Sequence, residues 1–228
     1  EIFTKNFQIF CQVCVESIIV QQFFHISALG IENAKDSLYA CSKIKGEFFI
    51  RKNFKEANIL KPSVIYSVDD NFTTNFMTIL GLLPIFPLYY NGSTLFRPIY
   101  ISDLTEIIYQ MIAKNIKSTT LECVGPEEIS LKNILKRLLK LIGKKRLLIP
   151  IPLVVAQLSA IFFQLFPRPL ITLDQLKLLK YQNIPSGKYK TNFDLKIPSN
   201  TKFDDEVKKY SYMWREGGQF STVEETKN

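Results

Sequence analysis

Apolar residues along the chain change period several times, and each change marks a predicted element. At the start Phe3, Phe7, Phe10, Cys11, Cys14, Val15, Ile18 and Ile19 recur at three- and four-residue spacing, which predicts an amphipathic helix. "QQFFHISALG" is a short apolar run ending in small residues, read as a buried strand that emerges at Ser27. Asp36 or Ser37 then caps a helix to about residue 54, and "ANILKPSVIY" is a second buried strand with its end marked by Pro62. Helix, strand, helix, strand with short joints is the rhythm of a parallel α/β sheet.

Further on, residues 71 to 83 read as a helix, "PIFPLYYNGS" as a loop and "TLFRPIYISD" as a strand, after which Asp103 caps "LTEIIYQMIAKN". "TTLECVG" is another strand. From residue 127 the pattern becomes helical: "SLKNILKRLLKLIG" is capped by Ser130, closed by Gly143, and carries Lys132, Lys136, Arg137 and Lys140 on its polar face. Residues 147 to 166 hold no charge, but Pro150 and Pro152 shorten any helix there to about 14 residues, so it reads as buried or interfacial rather than spanning. Thr172 caps "LDQLKLLKYQN", and one short helix is expected near 204 to 214. The expected organisation is α/β: residues 1–126 as the C-terminal part of a Rossmann-type parallel sheet, and 127–228 as a small, mostly helical subdomain and tail.

With 228 residues, 46% of them apolar, the chain can bury a core. Its net charge of +8 and pI near 9.2 point to anionic company. The lysines are dispersed, however, and no base-stacking or recognition-helix pattern accompanies them, so nucleic acid is not expected. Cys11 and Cys14 form a CxxC, but both lie on the apolar stripe and His25 is the single histidine, so no metal site is expected. The cysteines read as reduced, and the start lacks the basic region of a signal peptide. No Gly-rich turn follows any strand.

"SLYACSKIKGE" carries the candidate chemistry. Tyr39 and Lys43, four residues apart on a helix, share one face about 6 Å apart along the axis. A nearby ammonium would lower the tyrosine's pKa towards neutral proton transfer, and the lysine could also hold a ribose. Ser27, at the end of the preceding strand, could fix a carbonyl oxygen against the tyrosine.

The blocks "HISALG", "SLYACSKIKGE", "ILKPSVIY" and "FRPIYISDL", with "PIPLVVAQL", "LITLDQLKLL" and "YMWREGGQF" later, resemble the atypical extended short-chain dehydrogenase/reductases. Within them they are similar to the branch containing the NAD(P)H-binding accessory subunit of respiratory complex I, the NADH:ubiquinone oxidoreductase. The resemblance implies Ser27, Tyr39 and Lys43 as the catalytic set. It also implies that Ser27, Ala28, Tyr39, Lys43, Pro62, Ser63, Val64 and Ile65 lie along the nicotinamide half of NADPH or NADH. Asn6 lies near a family asparagine, in an unsettled register. Two departures stand out: Ser67-Val68 replaces a Gly-Pro, and the Gly-rich first half of the family fold is missing.

The function so implied is NAD(P)H binding in a mainly structural role, impaired in this chain alone, with complex I subunits or a separate N-terminal half as partners. An NAD(P)-dependent reductase or epimerase acting on a nucleotide sugar, lipid or small carbonyl is the alternative, and a non-functional fragment of a split gene is a third reading. The basic helix and uncharged stretch add peripheral membrane contact. Location is then the cytoplasm or, in a eukaryote, the matrix face of the mitochondrial inner membrane.

Overall fold

The computed structural model describes residues 20–163 and 171–220. The helix expected over the first nineteen residues, with Asn6, Cys11 and Cys14, lies outside them. At the centre is a four-stranded, fully parallel sheet in the order β1 (Phe24–Ile26), β2 (Asn58–Pro62), β7 (Thr120–Cys123), β10 (Lys190–Thr191). Helix α1 (Leu38–Asn53) makes the crossover from β1 to β2, begun where the Ser37 hydroxyl accepts from Ala40 N–H at 3.2 Å. Between β2 and β7 the chain forms β3 (Ile65–Tyr66), α2 (Thr73–Leu82), β4 (Ile85–Leu88), β5 (Leu95–Phe96), β6 (Ile99–Tyr100) and α3 (Ile101–Ala113).

The single strand read over "TLFRPIYISD" is two. Pro98 cannot donate to a ladder, and the pieces take different partners: β6 runs parallel to β3, whereas β5 runs antiparallel to β8 (Ile129–Ser130). Asp103 is not the cap of α3. That helix begins two residues earlier, and the Asp103 carboxylate instead accepts from Thr201 N–H and Oγ1 at 3.1 and 2.8 Å.

After residue 127 come α4 (Leu131–Leu141), β9 (Leu147–Pro150), α5 (Leu153–Phe163), α6 (Leu173–Leu178) and α7 (Phe203–Tyr210). Ser130 caps α4 and Gly143, at φ +67°, ends it as read from the sequence. This portion interleaves with what precedes it: β9 pairs β4 and β10 completes the sheet beside β7. Its core, with Leu131, Ile134, Leu135 and Leu138 of α4, is continuous with Met77 and Leu80 of α2 and Phe203 and Val207 of α7. Helix α5 packs through Ala156 and Ala160 on Tyr89 and Leu176, leaving Leu153, Val154, Leu158 and Ile161 exposed. Among the described residues no helix is long and apolar enough to cross a membrane.

Candidate functional site

A cleft of about 590 Å³ opens at the carboxyl ends of β1 and β2, the place where an open parallel sheet presents its loops. All eight residues singled out in the sequence line it: Ser27 and Ala28 after β1, Tyr39 and Lys43 on α1, and Pro62 to Ile65 after β2.

Tyr39 and Lys43 sit together, with the Lys43 Nζ 5.7 Å from the centre of the Tyr39 ring. The ammonium donates to the Ile26 carbonyl at 3.1 Å, which ties α1 to the end of β1 and leaves two of its three protons uncommitted to that bond. The expected lowering of the tyrosine is not found. Burial of the phenol pushes Tyr39 above its ordinary value; the ammonium lies over the ring and donates to a carbonyl.

Ser27 is 3% exposed, and its hydroxyl donates to Glu47 Oε1. A hydroxyl has one proton, so while it is donated to Glu47 the group offers the cleft only its lone pairs. Glu47 is in turn fixed by Lys61, whose Nζ lies 2.9 Å from Oε2 and also pairs with Glu32. Lys61 is 1% exposed in the middle of the sheet, and the Tyr189 ring lies 5.1 Å from its ammonium. Burial, the largest single influence, favours the neutral amine. The hydrogen bonds and charges of Glu32 and Glu47 together outweigh it, so Lys61 stays above its ordinary value of 10.5.

The turn after β2 is held from the far end of the chain. Asn183 Oδ1 accepts from the Ser63 hydroxyl at 2.6 Å and from Val64 N–H at 3.1 Å, while its Nδ2 donates to the Leu29 carbonyl at 2.8 Å. One side chain thus clasps the loops after β1 and β2. Gly30, at φ +77°, lets this segment approach: a Cβ there would stand 2.7 Å from the Gln182 carbonyl oxygen. Asp174 performs a similar tie at α1, accepting from Leu38 and Tyr39 N–H at 2.7 and 3.0 Å and from the Ser37 hydroxyl at 2.9 Å. Burial opposes its charge, but those bonds and Lys177 hold the Asp174 carboxyl below its usual value. Its own helix, α6, starts in a capping box between Thr172 and Gln175.

Glu47, Lys61, Asp174 and Asn183 are not among the candidate site residues read from the sequence. The signal for Lys61 was present: a lysine inside the apolar run "NILKP" must find a counter-charge when that strand is buried. Partners as distant as Asn183 and Ser63, 120 residues apart, leave no local trace.

The Lys43 ammonium, the Tyr39 hydroxyl and Ser27 all line the cleft, groups of the kind a nicotinamide–ribose unit takes. A pyrophosphate finds less. Lys43 is the one charged residue lining the cleft among the described residues, and the loop after β1 uses its glycine for packing. The same described residues hold no cluster of side chains able to bind a metal.

No protein-family model matches the chain. It is 26% identical over 215 residues to the mouse (Mus musculus) mitochondrial NADH dehydrogenase [ubiquinone] 1 alpha subcomplex subunit 9, covering 91% of this chain and 56% of that protein. With the mitochondrial NADH-ubiquinone oxidoreductase 40 kDa subunit of Neurospora crassa the figures are 21% over 181 residues, 78% and 47%. The chain therefore spans about half the length of the curated relatives it matches. Among solved structures, DesIV, a dTDP-glucose 4,6-dehydratase from Streptomyces venezuelae solved with NAD and TYD bound, superposes with a TM-score of 0.64 at 16% identity, covering 92% of this chain and 64% of that one. In fold the chain is similar to solved NAD-bound proteins such as that dehydratase, and in sequence it is similar to these mitochondrial NADH-ubiquinone oxidoreductase subunits.

Proposed function

We propose that this chain, extended-reductase in fold and complex I subunit in kinship, holds the nicotinamide–ribose half of NAD(P)H in the cleft as a structural element. The observation that carries the reading is the convergence of eight residues, chosen from sequence alone, on one cleft at the ends of β1 and β2. Lys43 and the Tyr39 hydroxyl bind the ribose. Ser27 and Ala28, with the turn from Pro62 to Ile65, flank the nicotinamide. The pyrophosphate contacts belong to a strand, Gly-rich turn and helix outside these 228 residues, in the same or a separate chain. Strand β1, which has a neighbour on only one side among the described residues, is the edge on which that unit adds.

The bound cofactor brings hydride chemistry, but the residues around it are set for holding. Burial raises Tyr39 rather than lowering it towards neutral proton transfer. A serine hydroxyl already donating its hydrogen bond to Glu47 is not aimed at a substrate carbonyl. Reductase or epimerase turnover is therefore the weaker reading.

Complex I subunits are the proposed partners. The exposed apolar face of α5 (Val154, Leu158, Ile161), together with the exposed Lys145 just before β9, suits attachment on the matrix side of the inner membrane. The test is NADPH fluorescence titrated against this chain combined with the strand, Gly-rich turn and helix that supply the pyrophosphate contacts, and against the Tyr39→Phe variant of that assembly. Binding weakened tenfold or less, the worth of one neutral hydrogen bond, with no carbonyl reduction by either protein, is the expected result. Turnover by the unsubstituted chain that the variant loses would instead make it a reductase.

A further inference from the structure

The rest of the cleft is built for something other than a nucleotide. From one cap of helix α2 to the other, Phe72, Phe76, Ile79 and Leu83 follow one another at three- and four-residue spacing, and all line the cleft. They form a stripe about 16 Å long, joined by Phe96, whose ring centre lies 5.7 Å from that of Phe72. Three of the amide side chains at the cleft are engaged within the protein. Asn75 Nδ2 donates to the Asn71 carbonyl at 2.7 Å, Gln182 Oε1 accepts from Leu95 N–H at 2.5 Å, and Asn183 clasps the two loops.

We infer that this stripe binds a single aliphatic chain, with the ligand's head directed towards Tyr39. The ligand class is a long-chain alcohol, aldehyde or acyl compound rather than a nucleotide sugar. A diphosphate placed against this wall would lose its hydration with no counter-charge from any described lining residue except Lys43. An alkyl chain placed there loses only unfavourable contact with water. The inference rests on the reading of the cleft as a ligand site and names what occupies the part the nicotinamide does not.

The probe is dansyl-labelled undecanoate, followed by fluorescence on the whole chain, with dodecanol and UDP-glucose as competitors. Saturable binding is expected, displaced by dodecanol, indifferent to UDP-glucose, and weakened at least tenfold by Ile79→Glu or Leu83→Glu. The two positions are separate sites on the stripe, so one folded variant suffices. Leu158→Lys, on the exposed face of α5, should leave binding unchanged. If instead that variant abolishes binding, the probe coats the outer surface and the inference falls. Displacement by UDP-glucose, or no binding to a chain shown to be folded, also overturns it. NADPH titrated in parallel separates the two readings. If Ile79→Glu loses the probe and keeps NADPH, both stand. If NADPH never binds but the probe depends on Ile79, only the nicotinamide reading is lost.

Discussion

Replacing Lys61 by methionine is expected to destabilise the protein by about 3–5 kcal/mol, the usual cost of leaving a buried charge without its partner. The methylenes are kept, so packing is nearly conserved and the loss is electrostatic. Glu32 is one-third exposed and can turn to water, whereas Glu47, at 16%, stays beneath α1 with a negative charge and no cation. Ser27 then donates to a carboxylate no longer held in place. With total stability of ordinary domains at about 5–15 kcal/mol, such a loss should show as a large drop in urea midpoint. The double variant Lys61→Met/Glu47→Gln should recover much of it, because the charge and its partner leave together. A single-variant loss under about 1 kcal/mol would mean the pair is solvated and not structural. The sign with pH follows from the direction of the Lys61 shift. Its folded value is raised above the ordinary 10.5, so the contribution is complete at neutral pH and is lost only as pH rises through that raised value.

Gly125→Ala should be comparably damaging for a steric reason. Gly125 follows β7, where its N–H donates to the Arg97 carbonyl at 3.1 Å, and a Cβ built there would lie 1.7 Å from the Pro98 carbonyl oxygen. Neither neighbour can swing aside, since both belong to backbone that crosses the end of the sheet. The segment must move bodily, and Ile99, paired with Ile65, must move with it. A cost of about 3 kcal/mol or more is expected, at the upper end for overpacking. For a domain of this size it corresponds to a melting temperature lower by roughly 6–12 °C. A melting temperature unchanged in the alanine variant would show that the two loops are not in contact.

Local signals were legible in the sequence because they are local physics. Ser37, Ser130 and Thr172 cap the helices they precede, Gly143 ends α4, and the apolar runs around Ile26 and Leu60 are adjacent parallel strands. The Tyr39 and Lys43 spacing survives as a shared helix face on the cleft. What did not show is whatever depends on partners distant in sequence. Asp103 looked like a cap until Thr201 claimed it, and Asp174 reads as an ordinary first-turn acid although it serves α1. The lowering expected for Tyr39 failed because helical spacing places two side chains together without saying which atoms meet. Strand β10 has two residues and no apolar run, so nothing marked it as part of the sheet.

Whether Lys43 grips a nicotinamide ribose is tested most directly with reduced nicotinamide mononucleotide, which lacks the adenosine half. Its fluorescence, titrated against the unsubstituted chain and a Lys43→Met variant of equal melting temperature, should show saturable binding that the variant weakens about 10- to 100-fold, the worth of a charge-assisted hydrogen bond. Equal affinity in the two proteins, or no binding to either, would contradict the assignment of this cleft to the nicotinamide half of the cofactor.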